Sequence, residues 1–184
     1  MAEVSGPDTE HAVPSGDAPH VEAFTAFFRR EYAELVALGW ALTGSRDAAE
    51  DVAQDAMTSM YQRWDDIRTV RDPHAYVRRV CVNLAASSFR RRAAELRALL
   101  RLSPQRTDSA QLPDTSAGFW AEVRRLPRRQ AQTVALYYGC DMSIAEVAEV
   151  LDMAGGTVKV HLSRARHALA DRLSTPEHRE GVAL

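Results

Sequence analysis

The sequence predicts an all-α protein built from two small helical domains, a front bundle and a rear helix-turn-helix, joined by a flexible linker. Three observations predict it. Apolar residues recur at steps of three, four and seven from Phe24 onward, the period of a helix with one buried face. No stretch alternates with the period of two that a strand needs. An interval near 103–118, rich in Pro, Ser, Asp and Gln, interrupts the helical pattern and marks a boundary. With 184 residues, each domain holds enough chain for a modest core.

Residues 1–20 are rich in Pro, Gly, Ser, Asp and Glu, bury too little apolar surface to order themselves, and read as a disordered arm. The first domain covers 21–95. Its first helix carries Phe24, Phe27, Phe28, Leu35, Leu38 and Leu42 inward and stops at Thr43-Gly44, glycine being the usual residue after a last turn. A second helix starts near Ser45 or Asp47, turns Ala49, Val52, Ala53, Ala56 and Met60 inward, and ends around Trp64. A loop, Asp65 to Asp72, leads to Pro73, which suits the first turn of a third helix. Tyr76, Val77, Val80 and Leu84 form that helix's apolar stripe, and it runs into Phe89-Arg90-Arg91-Arg92. Trp64, Tyr76 and Phe89 are candidate stacking platforms, with core packing the stronger reading for each.

A linker at 96–116 precedes the second domain, 117–174, and 175–184 form a tail. Phe119, Trp120, Val123 and Leu126 mark a short helix, and Pro127 opens another reaching Tyr138-Gly139. Ser143-Ile144-Ala145-Glu146 has the form of a capping box, with Val147, Ala148 and Leu151 inward. A tight turn, Asp152-Met153-Ala154-Gly155, then separates this helix from one whose Val158, Leu162, Ala165, Leu169 and Leu173 follow the helical period. Two helices joined in this way form a helix-turn-helix.

Charge is segregated along the chain. The formal net charge is only -2. Yet nine arginines between Arg71 and Arg106 face only Asp72 and Glu95, while Asp47, Glu50, Asp51 and Asp55 crowd 47–55 without a base. Two oppositely charged surfaces imply two different partners. No apolar run is long enough to cross a bilayer and the first 20 residues lack a signal-peptide pattern, so a cytoplasmic location and no membrane contact are expected. Cys81 and Cys140 lie far apart without metal-ligand spacing, so neither a disulfide framework nor a zinc site is expected, and no cofactor is implied.

The second helix of a helix-turn-helix lies in the major groove, where its N-terminal residues meet base edges. With Val158, Leu162 and Ala165 turned inward, the outward set is Thr157, Lys159, Val160, Ser163, Arg164 and His167. Lys159 and Arg164 suit phosphate or guanine; Val160 and Ser163 suit a thymine methyl or a base edge. In the first domain the Arg90-Arg91-Arg92 run suits phosphates, Asn83 suits a base edge, and the 65–72 loop suits an extruded single-stranded base.

These motifs carry a family resemblance. Asp47-Ala48-Ala49-Glu50-Asp51-Val52-Ala53-Gln54-Asp55, then Trp64, then Ala75-Tyr76-Val77-Arg78-Arg79-Val80-Cys81-Val82-Asn83-Leu84 and the Arg run resemble the core-binding, minus-ten-recognising domain of extracytoplasmic-function sigma factors, a group of the sigma-70 family. Leu126-Pro127-Arg128-Arg129-Gln130, Ser143 to Leu151 and Gly156-Thr157-Val158-Lys159 are similar to that family's minus-thirty-five-recognising domain. The Arg71-Asp72-Pro73 to Arg79 stretch is closest to an actinobacterial subgroup. The resemblance implies a factor that binds core RNA polymerase, recognises minus-thirty-five and minus-ten promoter elements, and promotes melting through binding alone.

It also implies site residues. Glu50, Asp51, Gln54 and Asp55 would dock on the clamp helices of the polymerase's largest subunit, with the flap of the second subunit as a further contact. Arg68, Arg71, Arg79, Asn83, Arg90 and Arg91 would serve the minus-ten element in double- and single-stranded DNA; the outward set on the rear helix would serve minus-thirty-five. An anti-sigma factor is a further partner that the resemblance allows. Three departures stand out: Asp152 replaces the usual turn glycine, Ala154 replaces the usual Ser cap, and Tyr137 replaces the Arg that usually precedes the tyrosine pair. A response-regulator type of helix-turn-helix regulator needs an α/β receiver, for which 22–100 offer no strand. A scaffold or anti-sigma protein that reads no DNA leaves the rear helix pair unexplained. No phosphate-binding loop or catalytic constellation is present, so no enzyme is expected.

Overall fold

The structure, a computed structural model, describes the backbone of residues 18–69, 72–102 and 115–174 and the side chains of 20–69, 72–88 and 117–174. Most of the expected arm, the middle of the linker and the tail lie outside the described residues.

Helix α1 (Ala18–Thr43) begins earlier than Phe24 and reaches into the expected arm. It buries Phe27, Leu35, Leu38 and Ala41. Gly44, with φ of 72°, ends it by donating its N–H to the Trp40 carbonyl at 2.8 Å. Left-handed backbone of this kind favours glycine because it has no Cβ. Helix α2 (Arg46–Tyr61) starts on Ser45, whose side chain accepts from the Ala48 N–H, and buries Ala48, Ala49, Val52, Ala53, Ala56, Met57 and Met60. The small residues let α1 and α2 approach closely: a Cβ on Gly39 would stand 3.1 Å from the Ala49 backbone.

The second helix does not continue to Trp64. It breaks at Gln62-Arg63, and Trp64 opens a separate short helix, α3 (Trp64–Ile67). The turn lets both Trp64 and Ile67 be buried, the indole lying 5.4 Å from the Phe24 ring and 5.2 Å from that of Phe27. Five residues of the expected 65–72 loop, Asp65 to Arg68 and Asp72, are therefore helical or capping positions. Asp72 accepts from the N–H groups of His74 and Ala75 at 2.9 and 3.0 Å, capping α4 (Pro73–Leu102).

The buried stripe of α4 is Ala75, Val77, Cys81, Val82 and Ala85, whereas Tyr76, Val80 and Leu84 are half-buried. The stripe is rotated from the expected one because α4 packs on α1 and α2 from one side and on the rear domain from another. The helix also runs past residue 95, through the first part of the expected linker. Residues 93–102 consist of Ala, Leu, Arg and Glu, which all favour helix.

Helices α5 (Thr115–Arg124) and α6 (Arg128–Val134) follow, with Pro127 as the residue before α6 and not its first turn. A π-helical turn, Ala135–Gly139, closes with the Cys140 N–H on the Ala135 carbonyl at 3.2 Å. Helix α7 (Ile144–Leu151) carries both halves of the capping box, and α8 (Gly155–Leu173) begins on Ala154, which makes no side-chain cap bond. Among the described residues there is no strand.

The two domains are not separate bodies. One apolar core runs from Leu35, Leu38, Val77, Cys81 and Val82 of the front bundle into Leu136, Met142, Val147, Val150 and Leu162 of the rear domain. A smaller cluster of Val123, Leu126, Ala131, Val134, Ala165 and Leu169 holds α5, α6 and α8 together.

Candidate nucleic-acid interface

The helix-turn-helix is positioned by its apolar side. Val158, Leu162, Ala165 and Leu169 of α8 are buried against α6 and α7, so the opposite face points to solvent. Leu173, the last residue of α8 and the end of its apolar period, is 39% exposed. Between α7 and α8, Asp152 adopts φ 52° and ψ 58°, the left-handed conformation that glycine takes most readily. Its N–H serves the carbonyls of Ala148 and Glu149. The turn has the handedness a helix-turn-helix needs even without glycine.

Thr157, Lys159, Val160, Ser163, Arg164 and His167 are all exposed. Val160 is an apolar side chain 46% exposed amid polar ones, which suits contact with a thymine methyl. His167 places Nδ1 2.8 Å from the Ser163 carbonyl, an acceptor only, so Nδ1 carries the proton and orients the ring. Arg166, outside the expected set, donates from Nε to the Tyr138 hydroxyl at 2.7 Å and so ties the π-helical turn to α8.

The acidic surface is equally plain. Asp51, Gln54 and Asp55 are exposed on the face of α2 opposite Val52, Ala53 and Ala56. Glu50 is half-buried and accepts from Arg46 Nε at 2.9 Å, so part of its charge is answered within the chain.

The expected minus-ten residues are spread apart. Arg68 is exposed and donates to Asp65 at 3.2 Å. Arg71, and the side chains of Arg90 and Arg91, lie outside the described residues. Asn83 is about 15 Å along α4 from Pro73, given the helical rise, so it and the 65–72 loop do not share one pocket. What lies beside α3 is a cleft of about 270 Å³ lined by Phe27, Arg30, Trp64, Arg68, Pro73 and His74, among others. Among the described residues the buried Trp64 indole N–H has no hydrogen-bond acceptor. Trp64 is thus a core residue at a cleft wall, and Tyr76 is half-buried with its hydroxyl accepting from Arg63 at 3.1 Å.

Sequence reasoning missed the contacts between domains. Arg79 donates from Nε to the Val150 carbonyl at 3.0 Å, and Arg128 donates to Asn83 Oδ1 at 3.3 Å. Arg124 donates to the Ala41 carbonyl at 3.4 Å and lies over the Trp40 ring, 5.8 Å from its centroid. Their partners are mostly backbone carbonyls on distant helices, for which a sequence carries no signal.

The chain matches the family model of sigma-70 region 2 over residues 27–95 and that of sigma-70 region 4 over residues 118–169. It is 34% identical over 128 residues to the RNA polymerase sigma-E factor of Streptomyces antibioticus, covering 69% of this chain and 71% of that one. It is 32% identical over 149 residues to the ECF RNA polymerase sigma factor SigM of Mycobacterium tuberculosis, covering 80% and 76%. In fold it is similar to the sigma factor RpoE of Bartonella quintana, solved in complex with the anti-sigma factor NepR, with a TM-score of 0.68 at 22% identity over 84% of this chain and 98% of that one. It is also similar to CnrH, solved with the cytosolic domain of CnrY, with a TM-score of 0.63 at 22% identity over 83% and 88%.

Proposed function

The chain belongs to the sigma-70 family, in its extracytoplasmic-function group, as a promoter-recognising RNA polymerase sigma factor, and on that footing we propose how its surfaces divide the work. The observation that carries the proposal is the solvent-facing set on α8, held outward by four buried residues on the opposite side. Thr157, Lys159, Val160, Ser163, Arg164 and His167 read the minus-thirty-five element in the major groove. Asp51, Gln54 and Asp55, with Glu50 beside them, dock on the clamp helices of core polymerase. Complementary charge there sets the rate and register of docking.

Arg68, Arg71, Arg79, Asn83, Arg90 and Arg91 meet the minus-ten element. The cleft beside Trp64 takes an extruded base, with the exposed Arg30 and Arg68 at its rim. Arg79 and Asn83 follow the strand along α4. Base capture stabilises the melted state, so the chain contributes binding energy and no catalysis; sigma factors are in general non-catalytic initiation factors. Among the described residues no helix is long and apolar enough to cross a membrane, and the chain acts where core polymerase is, in the cytoplasm. An anti-sigma protein joins the proposed partners on the strength of the fold shared with RpoE.

Run-off transcription with purified core polymerase tests the reading as a whole: promoter-dependent transcripts are expected, and their absence on every template refutes it. Asp51→Arg, on an exposed face, is expected to weaken holoenzyme formation about tenfold while leaving the fold intact. Unchanged affinity for core polymerase removes the docking assignment.

A further inference from the structure

Where α1, α4, α5 and α6 meet there is a pocket of about 270 Å³, lined by none of the residues given to promoter or polymerase. Its walls are mostly apolar: Leu42 at the end of α1, Val82, Ala85 and Ala86 on α4, and Leu126 and Ala131 beyond them. Three polar residues complete the lining, Arg124, Arg128 and Gln132, and no carboxylate is among them. Gln132 is 2% exposed; its amide oxygen accepts from Arg129 Nη1 at 3.5 Å, and its amide nitrogen has no partner among the described residues.

Arg124 carries a charge that the chain leaves unanswered. It is half-buried, and among the described residues no carboxylate pairs with it. Burial lowers its pKa with nothing acting in the other direction, yet a guanidinium stays charged at neutral pH. Of its N–H groups one has an acceptor among the described residues, the Ala41 carbonyl at a long 3.4 Å, and its cationic carbon stands 5.8 Å from the Trp40 ring centroid. A partly desolvated charge without a counter-ion is costly, and a carboxylate brought to it forms a charge-assisted, bidentate pair. Arg128, exposed at the start of α6 and bonded to Asn83, adds a second positive charge at the same pocket.

Volume limits the ligand. The pocket lies just below the ~300 Å³ at which small-molecule sites begin. At ~30 Å³ for each water-sized group it takes about nine of them. Inorganic phosphate would leave the apolar wall uncovered, and a cation would meet two guanidinium groups.

We propose that this pocket binds a medium-chain carboxylic acid as its anion, with the carboxylate on Arg124 and the hydrocarbon chain against Val82, Ala85, Leu126 and Ala131. The site is separate from the surfaces in the proposed function and does not rest on that reading.

Isothermal titration calorimetry of the full chain with octanoate at neutral pH tests it. One saturable site per chain is expected, with a Kd on the order of 0.1 mM. Octanol keeps the hydrocarbon and drops the charge, whereas acetate keeps the charge and drops the hydrocarbon. Each is expected to bind at least about tenfold more weakly than octanoate. Arg124→Gln is expected to weaken octanoate about tenfold and leave octanol unchanged. Should that variant fail to fold, Ala86→Phe fills the pocket from a half-buried position on α4 and is expected to abolish octanoate binding with an unchanged circular dichroism spectrum.

The absence of saturable octanoate binding overturns the proposal. So does octanol binding as tightly as octanoate, which would leave Arg124 no part in recognition. Octanoate affinity that survives Ala86→Phe places the acid elsewhere on the chain and refutes the site.

Discussion

The buried Glu31 of α1 and the half-buried His74 of α4 form a pair, with carboxylate Oε1 2.8 Å from the imidazole Nδ1 and Glu31 only 4% exposed. Arg30 approaches the far nitrogen of the same ring at 2.7 Å. A guanidinium only donates, so His74 Nε2 accepts and Nδ1 carries the proton to Glu31. Arg78 Nη2 stands 3.2 Å from the other carboxylate oxygen. Removing the carboxylate strands Arg78, so Glu31→Ala is expected to cost about 2 to 3 kcal/mol. Urea unfolding followed by circular dichroism measures it, and an unchanged midpoint would mean that the network contributes no net stability.

The capping box of α7 carries a pH dependence. Ser143 donates its N–H to Glu146 Oε2 at 2.7 Å, and the Glu146 N–H donates to Ser143 Oγ at 3.3 Å. Hydrogen bonding from Ser143 holds the Glu146 carboxyl below its ordinary 4.5. A depressed folded value means stability that is present above the ordinary carboxylate range and lost as pH falls through the folded one. Ser143→Ala is expected to cost about 1 kcal/mol at neutral pH, with the deficit shrinking in acid. Thermal melts of both proteins from pH 7 to 3 check it.

The two thiols are inert in the folded chain. Burial pushes Cys81 up to about 12 and Cys140 to about 11, so little thiolate exists at neutral pH. Iodoacetamide labelling followed by mass spectrometry is expected to modify the half-buried Cys140 slowly, Cys81 more slowly still, and both rapidly in urea. Fast labelling of Cys81 in the native protein contradicts the packing of α4.

Leu162 and Arg164 sit two residues apart on α8 and face opposite ways. Leu162 is 2% exposed, and Leu162→Ala is expected to cost about 2 to 4 kcal/mol of stability. Arg164→Ala is expected to leave the melting curve within about 0.5 kcal/mol of native. It should instead weaken promoter binding and, if the contact is to phosphate, lower the salt slope by about one. Titrating holoenzyme with promoter DNA at several salt concentrations separates a phosphate contact from a base contact.

The helical periods, the capping box, the turn before α8 and the two charged faces are readable along the chain because each depends on residues within a few positions of one another. Ser143 and Glu146, or Asp51 and Asp55, need only one helix to bring them together. The break before Trp64, the rotated stripe of α4 and the start of α6 after Pro127 depended on what lay against those segments. Burying Trp64 between Phe24 and Phe27 required a turn that local propensity does not signal.

Local spacing thus determined by itself the fold class, the helix-turn-helix and the outward face of α8. Tertiary packing alone decided that Glu31 pairs with His74, that the cleft forms beside Trp64, and that Arg79 caps α7. In each of these the partners lie more than 30 residues apart, or the acceptor is a backbone carbonyl that every residue type presents alike. Such contacts arise only once an extended apolar core has drawn the helices together.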